Sequence, residues 1–167
     1  MDAISRPPQC YSEWLECFEY MKKHRFRREH AEILRKGVCT DSAATLAYLE
    51  QQLIKTVNCV INNDFRRFSK ELTLCLSYGE YYGIYIPFTA LSKDLAACMF
   101  FLELDFMSVE FRSELRDSVK REVLAAWNRA VGQVEKMCAE SCDVRFEDQL
   151  YMIRRIKLFR ECEKINL

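Results

Sequence analysis

The side chains that carry most enzyme chemistry are thinly spread in this sequence, which has two histidines, His24 and His30. Six residues apart, the two imidazoles fall on different faces of a helix and do not form a joint metal site. Classical histidine-dependent acid–base and nucleophile systems have few places to form. Neither histidine belongs to a Glu-x-x-His pair, the spacing with which helical bundles hold di-iron centres. No GxxxxGK[ST], GxGxxG or GxSxG segment is present, so the local signatures of phosphate cradles, dinucleotide folds and serine elbows are missing. The expectation is a protein that is not an enzyme, with no catalytic residue and no cofactor.

Nine cysteines are the other reactive group: Cys10, Cys17, Cys39, Cys59, Cys75, Cys98, Cys138, Cys142 and Cys162. Cys138 and Cys142 are four apart, share a helix face and could hold two corners of a metal site, with Cys10 and Cys17 supplying the rest. Zinc sites use tighter CxxC pairs with a turn between them, so no metal is expected. An odd count set into apolar helical patterns points to small buried hydrophobes in a reducing compartment rather than a disulfide scaffold. The cytoplasm is the expected location, since the N-terminal stretch lacks the apolar core of a signal peptide and no run suggests membrane insertion.

Binding chemistry is better represented. Arg25, Arg27 and Arg28 belong to the basic run from Lys22 to Arg28, a pattern that suits a nucleic acid or another anion. Helical spacing offers internal partners for much of that charge, at Glu19–Lys23, Arg25–Glu29, Arg28–Glu32 and Glu32–Lys36. Arg112, Arg116 and Lys120 stack at i,i+4 on one helix face, and neither arginine has an acid three or four residues away. Something else must answer them. One source is the acidic stretch 78–107, where Lys93 stands against Glu80, Asp94, Glu103 and Asp105; the other is a phosphate or an acidic partner. Arg154 and Arg155 also lack local partners. Tyr78, Tyr81, Tyr82 and Tyr85 lie in YGEYYGIYIPF, where amphipathic rings beside two glycines form the composition favoured at protein-binding hot spots. The competing reading is that these rings close one end of the fold.

The elements that must position these groups are helices. Half the residues are hydrophobic, while Gly (4) and Pro (3) are scarce, so few breakers are available for hairpins. The fold class is all-α: five to six helices, one domain over 9–167 after an irregular lead-in at 1–8, around a central apolar helix at about 89–104. Leu95 to Leu102 contains no polar side chain, so that helix has no face to give to water. Helix 1 is expected over about Gln9–Lys36, bent near His24 and ended by Gly37. Asp41 is expected to cap the next helix. Asn62-Asn63-Asp64 reads as a break, with one helix over 41–78 as the alternative because the apolar period continues across it. Ser108 reads as the N-cap of a helix reaching about Ala139, and a last helix carries Phe146, Leu150, Ile153, Ile156 and Phe159. Trp14 and Trp127 are expected in the core.

The 25 basic and 25 acidic residues cancel, so any anionic partner must find a local patch. The functional reading is a helical interaction module, an adaptor, inhibitor or regulator that binds a protein. The alternative is a nucleic-acid-binding regulator using the basic faces. Pairing of two copies through one helix face is left open.

Overall fold

The structure, a computed structural model, describes residues 4–77, 84–141 and 144–156. It is all-helical among those residues: α1 (Tyr11–Lys23), α2 (Arg28–Leu34), α3 (Ala43–Ser77), α4 (Tyr85–Cys98) continued by a 3-10 turn (Met99–Glu103), α5 (Val109–Ser141) and α6 (Val144–Arg154). α1 lies on α3, α3 packs against α4 and α5, and α6 packs against α4 and α5. α4 therefore sits in the middle of a bundle, as its composition requires. Its buried face carries Phe88, Leu91, Leu95 and Cys98, with Phe88 edge-on to Phe68 at 4.6 Å and to Trp127 at 5.5 Å. Each fully buried ring of this kind contributes about 2–3 kcal/mol of transfer free energy. Trp14 and Trp127 are both buried in this core.

The first expected helix is two helices. The bend near His24 is a full break, because His24 and Arg27 both adopt extended backbone (φ −123°, ψ 159° and φ −125°, ψ 166°). Continuing the helix would place Arg25, four after Met21, on the buried stripe of Trp14, Phe18 and Met21, and would turn Phe26 away from it. The extended link instead buries Phe26 beside Phe100 and Phe101, ring centroids 5.7 and 6.5 Å away. It also carries Arg25 to Asp94 rather than to Glu29. The Arg28–Glu32 and Glu19–Lys23 pairs form, at 3.0 and 3.9 Å.

Gly37 lies beyond the end of α2, and its role is one of space. A Cβ there would meet Trp14 Cζ2 at 2.6 Å, with Leu34 O and Pro8 Cδ at 3.0 Å. Asp41 caps a different helix from the one expected: its Oδ2 accepts the Tyr11 amide of α1 at 2.7 Å. Ser42 is the residue before α3, with Thr45 N–H donating to its Oγ at 3.4 Å.

α3 is one helix across Asn62-Asn63-Asp64, the alternative reading. Tertiary contacts employ the polar residues that suggested a break. Asn63 Nδ2 donates to the Lys22 carbonyl at 3.0 Å, and Asp64 enters a buried ion cluster. The central helix starts four residues earlier than expected. Pro87 falls in its first turn, where a missing N–H costs nothing, and Gln149 of α6 accepts the Tyr85 amide at 3.0 Å. α5 begins where expected, with Phe111 N–H on Ser108 Oγ at 3.3 Å. Phe159 and Cys142 lie outside the described residues.

Residues 85–103 are long and apolar enough, by length and composition alone, to cross a membrane, and 56% of that window is buried inside the bundle. Seven cysteines are described, all as free thiols. Cys17 and Cys98 are buried as expected of small core hydrophobes, whereas the other five are half-buried; burial raises the Cys17 pKa to about 11 and holds that of Cys98 well above the ordinary thiol value.

Candidate interaction groove

The link between α1 and α2 and the outer face of α4 border an open groove of about 450 Å³. Its lining combines Arg25, Arg27, Arg28 and Glu29 from the link and α2 with Tyr85, Ile86, Thr89, Ala90, Lys93 and Asp94 from α4. The helix period explains the second set. Ile86, Ala90 and Lys93 repeat at four and three, opposite the stripe of Phe88, Leu91 and Leu95 that enters the core. Ile86 is 68% exposed, and Tyr85 is half-buried.

Behind the groove is a charge cluster that draws on three segments. Asp94 Oδ2 accepts from Arg25 Nε at 2.9 Å and from Arg67 Nη1 at 3.4 Å. Arg67 Nη1 also donates to Asp64 Oδ1 at 3.0 Å. The Asp64 side chain is 2% exposed and that of Asp94 is 9% exposed, against 32% for Arg67 and 38% for Arg25. Asp64 Oδ2 has no hydrogen-bond partner among the described residues. Desolvation, joined by repulsion from Asp94, outweighs the attraction of Arg67 and Arg25 and pushes the Asp64 pKa up to about 7. Burial raises that of Asp94 as well, with its bond to Arg25 opposing. The cluster orients Arg25 at the groove wall, and a proton on Asp64 relieves the two carboxylates.

The residues singled out from sequence divide into three groups. Arg25, Arg27, Arg28 and Tyr85 come together here, although they lie up to sixty positions apart. Arg112, Arg116 and Lys120 line no part of the groove. Arg112 Nη1 reaches Asp105 Oδ1 at 3.4 Å, so the acidic stretch before α5 answers it in part. Arg116 is exposed without an ion pair among the described residues, whereas Lys120 is half-buried and has an interaction partner. Tyr78, Tyr81 and Tyr82 lie outside the described residues. Arg154 is answered by Glu135 across α5 and α6, and Arg155 stacks over the Tyr151 ring.

Sequence reasoning missed Asp64, Arg67, Lys93 and Asp94. A signal was present for two of them. Asp94 is the one acid of α4 and directly precedes the uncharged run from Leu95 to Leu102, and Asp64 lies three after Ile61 and four before Phe68, on the same apolar stripe. Asp64 has Arg67 three residues on along its own helix, at 3.0 Å, whereas Asp94 takes its cations from the link and α3.

His24 stacks on Tyr20 at 4.4 Å, and His30 Nδ1 accepts the Arg27 amide at 3.2 Å. Among the described residues no group of three or more His, Cys, Asp or Glu side chains is placed to hold a metal. Compared with known proteins, the chain matches no family model, no curated protein and no solved structure.

Proposed function

We propose that the protein is a helical interaction module that binds a protein partner through the groove between the α1–α2 link and α4. The observation that carries this reading is the convergence there of Tyr85, the exposed Ile86 and the cations Arg25, Arg27, Arg28 and Lys93. Aromatic and arginine anchors beside exposed apolar area are the composition of binding hot spots. The non-enzymatic half of the reading rests on the sequence, with its two histidines and missing catalytic motifs. The nucleic-acid alternative draws on the exposed Arg116 and on the same Arg25, Arg27 and Arg28, but it loses support on α5, where Arg112 engages Asp105.

The test compares wild type with Tyr85→Ala and Ile86→Asp, each checked for unchanged helicity, and measures recovery of partner proteins from cells. Groove variants are expected to lose a specific co-purifying protein that Arg116→Ala retains. Equal recovery by all four chains would remove the groove as the binding surface.

A further inference from the structure

Resting on the reading of the groove as an interaction site, we infer that its occupant is an acidic peptide segment of a protein partner, with an apolar side chain next to its carboxylates. Four cations line the groove against two carboxylates, Glu29 and Asp94. Asp94 opposes an incoming anion only weakly, because its Oδ2 is already shared between Arg25 and Arg67. Arg27 and Lys93 are exposed and form no ion pair among the described residues. Arg28 is held by Glu32 at 3.0 Å, but with side chains 84% and 53% exposed that pair is screened by water and is easily replaced by a ligand carboxylate. Arg25 engages Asp94 through Nε, and a guanidinium has two further nitrogens with which to fork onto an anion.

Charge alone would suit any anion; the apolar strip decides between them. Ile86 and Ala90 line the groove on the same α4 face as Lys93, and Ile86 is 68% exposed. A free inorganic anion would leave this strip in water. A nucleic acid would need ring faces for its bases, and among the described residues the groove lining supplies one aromatic ring, the half-buried Tyr85. An acidic segment with an apolar residue satisfies both parts: carboxylates meet Arg27 and Lys93 while the apolar side chain covers Ile86.

The experiment is an array of short synthetic peptides in which net charge and apolar content vary independently, probed with the full chain alongside an oligo-uridylate RNA. Wild type is expected to select peptides that are both acidic and apolar. Arg27→Glu and Lys93→Glu, both at exposed positions, are each expected to weaken those peptides roughly five-fold, with Arg116→Glu as an unaffected control. Lys93→Glu should also gain affinity for peptides in which Lys replaces Glu. Selection of neutral or basic peptides that Ile86→Asp abolishes would overturn the acidic occupant and keep the groove. Binding indifferent to every groove variant would remove both. Preference for the RNA, or no binding to any peptide, would likewise overturn the inference.

Discussion

Two regions of this protein present clustered cations, and they differ in what stands behind them. On α5, Arg112, Arg116 and Lys120 come from one helix face at regular spacing, and Arg112 is answered by an acid that is 95% exposed. At the groove, Arg25 and Arg67 come from the α1–α2 link and α3 and converge on carboxylates that are nearly inaccessible to water. Like charges stacked on one helix repel by a few tenths of a kcal/mol per pair and are screened by solvent. An ion pair whose carboxylate is buried costs more to break, because a charge is left behind with neither its partner nor full access to water. A regular basic stripe thus says little about a site, while an ionic cluster assembled from three segments fixes the position of the residues around it.

Asp94→Ala is the strongest way to break this contrast. It removes the shared acceptor of Arg25 and Arg67, and it should cost about 2 kcal/mol in a denaturant titration. The figure lies below that of a fully buried pair because both arginines are about one-third exposed and water can reach them. It also relieves Asp64 of a neighbouring negative charge. A loss under half a kcal/mol would place the cluster with ordinary surface pairs.

The pH dependence of stability sharpens the comparison further. Asp64 has a folded pKa of about 7, well above the ordinary carboxylate value. A raised folded pKa means that the folded state binds the proton more tightly than the unfolded chain does. The stabilisation is complete below the unfolded value near 4 and is lost as pH rises through about 7. Arg67 from its own helix, Asp94 from α4 and Arg25 from the link are the charges that face it. Melting temperature should therefore fall between pH 5 and pH 8, by an amount equivalent to roughly 2–3 kcal/mol. Asp64→Asn should flatten that slope, since the amide stays neutral and its oxygen still accepts from Arg67. A slope unchanged by this substitution would assign the titration elsewhere.

The smallest effect belongs to the α5 face. Arg116→Ala, exposed and without an ion pair among the described residues, should change stability by no more than about 0.5 kcal/mol in either direction. A larger loss would show that α5 uses this arginine structurally and would narrow the difference between the two basic regions.

Much of the fold was legible because it depends on local pattern. The apolar circumference of α4 announced a central helix, and Ser108 marked the start of α5 through a bond to the amide of Phe111, within its own first turn. The continuity of α3 was carried by the spacing of Ile61, Phe65, Phe68 and Leu72. The misreadings occur where a polar residue has two uses. Asp41 precedes α3 in the chain but bonds Tyr11 of α1, thirty residues earlier. Asn63 resembles a helix breaker yet reaches Lys22 of α1. Neither choice can be read from neighbours in sequence, because both partners are distant along the chain.

The same division holds for the candidate site. Pattern alone marked the protein as helical with α4 at its centre, and made Tyr85 and the arginines of the first basic run candidates for contact with a partner. These follow from side-chain type and period, which every residue carries wherever the chain goes. Folding brought those residues to one groove, added Lys93 and Asp94 to it, and set Asp64 and Arg67 behind it. Burying Phe26 against Phe100 and Phe101 drew the link onto α4 and broke the first helix. That movement brought Arg25 to Asp94, sixty-nine residues away. Asp64 has Arg67 within a turn of its own helix, but Asp94 must find its cations in space, and sequence spacing carries no record of which ones arrive.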